Sequence, residues 1–111
     1  MTRTIAASAV LAAAAMYPQK SSADEFTGAD FLSWSDAEQR GYVSTQLVMA
    51  SSIAARIKPP LATCIGEMFF EGSGMSDNGF DQVIARIREF SGYHPSSVMV
   101  IVIENACGRF N

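Results

Sequence analysis

Residues 1–23 have the composition of a cleavable secretory leader, and this feature constrains the fold more than any other in the chain. Arg3 supplies a positive charge, an alanine-rich apolar run follows over residues 5–17, and Ser21–Ala23 provide the small residues of a signal-peptidase site. An apolar run of about 13 residues is too short for a membrane-spanning helix, which needs about 20. The sequence therefore predicts an exported, released protein without a membrane span, whose mature chain begins at Asp24.

The mature chain, residues 24–111, is long enough for one small domain. It keeps all 11 acidic residues but loses Arg3 and Lys20 with the leader, so six basic residues remain and the formal charge is −5. Nucleic acids and anionic membranes bind clusters of lysine and arginine, so this charge argues against both as partners. A basic protein surface is a compatible partner, and the sequence is also compatible with a homodimer.

Cys64 and Cys107 are the two cysteines of the chain, and both lie in its mature part. An even number of cysteines in a small exported domain predicts a disulfide. The loop-entropy model gives such a bridge, between positions 43 apart, about 4 kcal/mol of stabilisation. The alternative, a reactive thiol working with His94, is disfavoured by an oxidising compartment and by the lack of a C-x-x-C spacing. The expected location is the bacterial periplasm or the extracellular space.

Apolar residues with helical spacing run through the mature chain and predict an all-α domain, a small four-helix bundle with one disulfide. A helical turn is expected over residues 28–34. Ser35 and Glu38 form a capping box that begins the first long helix; Pro59 and Pro60 end it, and Pro60 opens the second. The predicted inward faces of these two helices comprise Val43, Leu47, Ala50, Ala54 and Ile57, and then Leu61, Cys64, Ile65 and Met68.

Residues 72–79 are rich in glycine, serine, aspartate and asparagine and are predicted to form a connecting loop. Ser76 or Asp77 is expected to cap a third helix, with Arg86 on its solvent side. The predicted inward face of this helix comprises Phe80, Val83, Ile84, Ile87 and Phe90.

The last element is ambiguous from the sequence. The apolar run over residues 98–103 is rich in valine and isoleucine, and taken alone it is compatible with a buried strand. No second segment offers itself as a strand partner, and Pro95 suits the start of a helix. The sequence therefore favours a central, buried helix over residues 95–106, ended by Gly108.

The sequence contains no evident catalytic, cofactor-binding or metal-binding constellation. His94 is its single histidine, and general-base catalysis would also require an orienting carboxylate and an activated nucleophile. The glycine-rich segment lacks the lysine of a P-loop and the ligand pattern of an EF-hand. Cys64 and Cys107 would need two further ligands to hold a metal. These features predict a protein that is not an enzyme and has no cofactor.

Two groups of residues are candidates for binding another protein. Large aromatic side chains near the ends of predicted elements are frequent hot spots in interfaces, and loops carry binding residues more often than core elements do. The predicted binding residues are Tyr42, Tyr93 and His94 near element ends, and Met75, Asp77 and Asn78 in the predicted loop.

Four short segments together resemble a known family. These are Gly41-Tyr42-Val43, Phe80-Asp81-Gln82-Val83, Tyr93-His94-Pro95 and Ala106-Cys107. In this order, behind an export leader, they are similar to the periplasmic immunity proteins of type VI secretion amidase effectors, the Rap/Tai family. The resemblance implies a disulfide-bonded helical protein that binds and neutralises a peptidoglycan amidase. That family commonly has a cysteine just before its Gly-Tyr pair, where this chain has Gln39-Arg40.

A second resemblance competes with the first. Phe31-Leu32, the helix with Gly41-Tyr42-Val43 and the two-cysteine helical composition also resemble the HdeA family of acid-stress chaperones. This resemblance implies a protein that coats unfolded clients at low pH. HdeA-like chains are richer in lysine, whereas the mature chain here has only Lys58. The favoured interpretation is a non-enzymatic binding protein of the immunity type, and the alternative is an HdeA-like chaperone.

Overall fold

The computed structural model describes residues 25–111; the predicted leader, residues 1–23, lies outside the described residues. The described chain forms four longer helices preceded by a short one, with a two-stranded hairpin between the third and fourth helices. The elements are α1 (Gly28–Leu32), α2 (Asp36–Ile57), α3 (Pro59–Phe69), β1 (Phe70–Glu71), β2 (Gly74–Met75), α4 (Asp77–Glu89) and α5 (Pro95–Cys107). The predicted all-α fold is confirmed. Within residues 25–111 no helix is both long and apolar enough to cross a bilayer.

The helix starts follow the capping signals of the sequence. Ser35 accepts a hydrogen bond from the Glu38 N–H at 3.2 Å, and the Ser35 N–H donates to the Glu38 carboxylate at 3.1 Å, which confirms the predicted capping box of α2. Helix α3 begins at Pro59, one residue earlier than predicted, because a proline at the first helical position loses no backbone hydrogen bond. The segment after His94, for which the sequence left a strand and a helix open and favoured the helix, is helical.

The prediction of a loop over residues 72–79 is wrong in two respects. Phe70 and Glu71 pair with Met75 and Gly74 in a short antiparallel hairpin, and Gly72 in the turn has a φ of 66°, which favours glycine. Helix α4 then begins inside the predicted loop. Its cap is Ser76, whose hydroxyl accepts from the Gly79 N–H at 2.9 Å.

The core lies between the inner faces of the five helices and is apolar throughout. Helix α5 packs on α3 and α4, and α2 packs mainly on α3. The buried side chains are Phe31, Val43, Leu47, Ala54, Leu61, Ile65, Phe69, Phe80, Val83, Ile84, Ile87, Val98, Met99, Val102 and Ile103.

Three details of the predicted core are wrong. Ile57 and Met68 were predicted to face the core but are exposed: Ile57 is the last residue of α2, and Met68 lies beside the buried stripe of α3, which comprises Leu61, Ile65 and Phe69. Helix α5 is not buried on all sides, since Val100 and Ile101 face solvent. Phe90, Ala50 and Cys64, also predicted to face inward, are only partly buried.

The predicted disulfide joins Cys64 to Cys107, with their Cα atoms 5.7 Å apart. It connects the middle of α3 to the last residue of α5. Gly108 follows with a φ of 95° and ends α5 as predicted, because its backbone is left-handed where a side chain would be strained.

Candidate protein-binding surface

An aromatic cluster forms where the chain before α1 meets the starts of α2 and α5. Phe26 is at its centre, with ring centroids 5.0 Å from Trp34, 5.8 Å from Tyr42 and 5.5 Å from His94. Phe31 adds contacts of 5.5 Å to both Trp34 and Tyr42 from the core side. We call these five residues the aromatic corner. Rings at such separations attract each other in addition to burying apolar area.

Backbone hydrogen bonds hold the corner together. The Gly28 N–H donates to the Tyr93 carbonyl at 2.8 Å, and the Ala29 N–H donates to the Ser91 carbonyl at 2.9 Å. The first turn of α1 is thereby fastened to the turn between α4 and α5. This contact places Phe26 against His94 although 68 positions separate them in the chain.

Tyr42 is fixed by a chain of side-chain hydrogen bonds. The Ser96 hydroxyl donates to the Gln46 side-chain oxygen at 3.2 Å. Since that hydroxyl has a single proton, it accepts from the Tyr42 hydroxyl, 2.9 Å away. These bonds join α2 to the first turn of α5 and hold the Tyr42 ring in one orientation.

His94 caps helix α5. Its Nδ1 accepts a hydrogen bond from the Ser96 N–H at 3.1 Å, and its backbone is extended, as expected for a residue before proline. Nδ1 is therefore the unprotonated nitrogen of the ring. The edge-to-face contact with Phe26 fixes the plane of the imidazole.

Tyr93 projects from this surface, with 62% of the residue exposed. Its ring lies 6.0 Å from the Phe90 ring, edge to face. Beside the two rings is an apolar groove of about 200 Å³, which we call the Tyr93 groove; it is lined by Phe90, Tyr93, Ser97, Val98 and Ile101. A tyrosine next to an apolar groove is a common composition for a protein-binding anchor.

A second, more open groove of about 510 Å³ runs along α2 beside Trp34. We call it the Trp34 groove; it is lined by Trp34, Glu38, Gly41, Tyr42, Thr45 and Gln46. Its floor is open because Gly41 has no side chain and a Cβ there would have no neighbour within 4 Å.

The three predicted residues of the loop lie elsewhere, around the hairpin. Met75 is half-buried against the core, and Asn78 is exposed. The Asp77 carboxylate lies 3.2 Å from the Arg40 guanidinium, which also binds Asp36 at 2.9 Å.

Arg40 ties α2 to the start of α4. Its guanidinium lies 4.3 Å from the centre of the Phe80 ring, a cation–π contact. Desolvation by itself lowers the pKa of Arg40, but hydrogen bonds and charge from Asp36 and Asp77 outweigh it and raise that pKa above its ordinary value. Asp77, a predicted binding residue, therefore also has a structural role through its ion pair with Arg40.

The six predicted binding residues thus fall into two sets. Tyr42 and His94 belong to the aromatic corner, and Tyr93 adjoins it; the other three are grouped at the hairpin. Phe26, which lies in the short segment before α1, was not among the residues predicted from the sequence. The signal that could have found it is an aromatic residue immediately before Thr27, which caps α1 together with Asp30.

Within the part of the chain that the structure describes, no three histidine, cysteine, aspartate or glutamate side chains come together as a set of metal ligands. Comparisons of the chain with protein-family models, with curated proteins and with solved structures gave no match.

Proposed function

We propose that the protein is a non-enzymatic exported binding protein of the immunity or inhibitor type, which occludes a cell-wall amidase or a similar secreted effector. The observation that carries the proposal is the exposed Tyr93 ring beside the Tyr93 groove. A projecting ring and an adjacent apolar recess together provide the anchor and the contact area that a tight protein interface requires.

The backbone of the anchor is held in place before any partner binds. The Tyr93 carbonyl accepts from Gly28, its ring packs against Phe90, and its neighbour His94 caps α5. Binding therefore costs little conformational entropy at this point, which favours affinity. Such a projection suits a protein that acts by filling the cleft of another.

Charge and resemblance support the same function. Residues 24–111 have a formal charge of −5, which favours association with a protein whose surface is basic. The resemblance to the Rap/Tai immunity family depends most on His94-Pro95 and the helix that ends at Cys107, and Tyr93 immediately precedes this segment. The proposed partner is therefore a peptidoglycan amidase encoded near the gene for this protein.

The test is calorimetric titration of that amidase with the purified protein, together with an assay of peptidoglycan cleavage. We expect a one-to-one complex and loss of cleavage. The Tyr93→Ala variant should bind about 30-fold more weakly, the cost of truncating a typical hot spot. Met68→Ala removes an exposed apolar side chain from α3 and is the control; its affinity should equal that of the original protein. Absence of a complex, or equal loss in both variants, would contradict the proposal.

An acid-activated chaperone is the second candidate, and one observation favours it. Val48, Met49 and Ile53 are exposed on α2, and a chaperone needs such apolar surface to hold unfolded clients. This function predicts that the protein prevents client aggregation at about pH 2–3, where carboxylates are neutral, and not at neutral pH. Light scattering by an acid-labile client, with and without the protein at both pH values, distinguishes the two functions.

A further inference from the structure

The outer side of α2, opposite the core, carries an uncovered apolar stripe. Val43, Leu47 and Ala54 face the core. On the other side, Val48, Met49 and Ile53 are exposed by 52%, 59% and 50%. The helix is therefore apolar on two sides, which is unusual for a surface helix of a monomer.

This outer face is free of charge along most of its length but is charged at both ends. No residue from Gly41 to Ala55 is charged. Glu38 lies in the first turn of α2 and Arg56 in the last. Eighteen residues make five full helical turns, so these two side chains project in the same direction about 27 Å apart. The uncharged stripe lies directly between them.

The pattern is self-complementary in an antiparallel arrangement. If a twofold axis crosses the outer face of α2 at the level of Leu47, Glu38 of each copy lies opposite Arg56 of the other. The same operation places Ile53 of each copy at the level of Gly41 of the other and on the side of the face that carries Tyr42, where it meets the Trp34 groove. A symmetric pair uses every contact twice, so both ion pairs and both insertions form together.

We propose that α2 forms an antiparallel homodimer through this face, with Ile53 of each copy in the Trp34 groove of the other. A second copy fits better than a different protein because the end charges and the Trp34 groove match the face itself. Two copies with a charge of −5 each repel at long range, and an uncharged face with two reciprocal ion pairs is where they can approach most closely. This inference does not depend on the proposed function, which uses the Tyr93 groove.

The ion pairs that the structure contains leave these end charges available. Within residues 25–111, the ion pairs are Arg40 with Asp36 and Asp77, and Arg86 with Glu89. Arg56 is in none of them. Glu38 accepts from the Ser35 N–H through one carboxylate oxygen while its side chain stays exposed at the helix start.

The test is sedimentation equilibrium on protein purified after expression of the full chain, from about 1 μM to about 1 mM. We expect a monomer–dimer equilibrium. Arg56→Glu places two carboxylates opposite each other and should raise the dimer dissociation constant about tenfold or more. The matched control is Arg88→Glu, the same charge change in the last turn of α4, which should leave the constant within about twofold of the original.

A charge exchange tests the same pairing in the reverse sense, while Arg88→Glu, which has the same net charge as Arg56→Glu, measures the effect of net charge alone. The double variant Glu38→Lys/Arg56→Glu restores opposite charges across the axis and should recover most of the affinity lost in Arg56→Glu. Met49→Glu should abolish the dimer, whereas Met68→Glu should not. Circular dichroism and thermal unfolding confirm that each variant is folded.

Two results would overturn the proposal. One is a monomer at every concentration, whether the face is open, covered by residues 1–24 or reserved for another protein. The other is a dimer whose dissociation constant responds equally to Arg56→Glu and Arg88→Glu, because its interface would then lie elsewhere.

Discussion

At the scale of single residues, two helical glycines have opposite surroundings. A Cβ on Gly79 would lie 2.8 Å from the Cα and 2.9 Å from the carbonyl oxygen of Phe69, which are backbone atoms that cannot rotate away. A Cβ on Gly66 would have no neighbour within 4 Å. Gly79 is therefore required for the close approach of α4 to the end of α3, whereas Gly66 only weakens its helix.

We expect the two alanine substitutions to have opposite signs. Gly79→Ala should lower the free energy of unfolding by about 1–3 kcal/mol because the added methyl group overpacks the junction. Gly66→Ala should raise it by about 0.5–1 kcal/mol because alanine loses less backbone entropy in a helix. Urea denaturation of both variants measures the difference. Destabilisation by Gly66→Ala would show that α3 is packed more tightly at that point than the structure indicates.

His94 offers a second test at this scale, because its cap and its ring contact can be separated. His94→Ala removes both the acceptor for the Ser96 N–H and the edge contact with Phe26. His94→Asn removes the ring but supplies a strong capping side chain. We expect the alanine variant to be less stable than the asparagine variant by about 1 kcal/mol, measured by thermal or urea unfolding. Equal stabilities would mean that the cap contributes nothing.

At the scale of elements, the disulfide fixes how α3 and α5 lie against each other. It closes a loop between positions 43 apart. Cys64→Ser should lower the free energy of unfolding by about 2–5 kcal/mol, because the unfolded chain regains the entropy that the bridge removes. The control is the double variant Cys64→Ser/Cys107→Ser, which should match the single variant. Melting temperatures of the original protein with and without a reductant give an independent measurement, and no change on reduction would contradict the prediction.

The long helices could be predicted because each has a local signal. Ser35 and Glu38 define the start of α2, and the stripe of α4 from Phe80 to Ile87 repeats with helical spacing. Helix α5 was recognisable despite its valines and isoleucines, because Pro95 fits a helix start and the rest of the chain offered no strand to pair with it. Local signals of this kind act over one or two turns, so the sequence alone reveals them.

The features that could not be predicted depend on contacts between distant parts of the chain. Strands of two residues, as in the hairpin at Phe70–Glu71, are too short to show any periodicity. Ile57 continues a helical stripe to the exposed last residue of α2, and Met68 lies beside the buried stripe of α3. Phe26 and His94 come into contact because backbone hydrogen bonds join the start of α1 to the turn before α5. No local sequence pattern encodes those bonds. The candidate site was therefore predicted in part, from residue types, but not as a cluster.

At the scale of the whole molecule, the distribution of charge determines what can approach each surface. The chain from residue 24 to residue 111 is strongly acidic, and yet the outer face of α2 is uncharged from Gly41 to Ala55. The Tyr93 groove is also lined by uncharged side chains. The two surfaces are lined by different residues, and both adjoin the aromatic corner.

Salt should affect the proposed dimer through two opposing terms. Two copies with a charge of −5 repel, and salt screens that repulsion. The reciprocal pairs between Glu38 and Arg56 attract, and salt screens that attraction as well. The variant Glu38→Gln/Arg56→Gln removes the pairs but leaves the net charge unchanged, and glutamine preserves the capping box of α2.

Raising the salt concentration from about 0.05 M to about 0.5 M shortens the screening length from about 14 Å to about 4 Å. In the double variant only the long-range repulsion is screened, so its dimer should become tighter. In the original protein the loss of the two ion pairs offsets that gain, so its dimer should tighten less or become weaker. Sedimentation equilibrium at both salt concentrations measures the difference between the two slopes. Parallel slopes would mean that Glu38 and Arg56 do not meet across the interface, and the antiparallel register would then have to be abandoned even if a dimer forms.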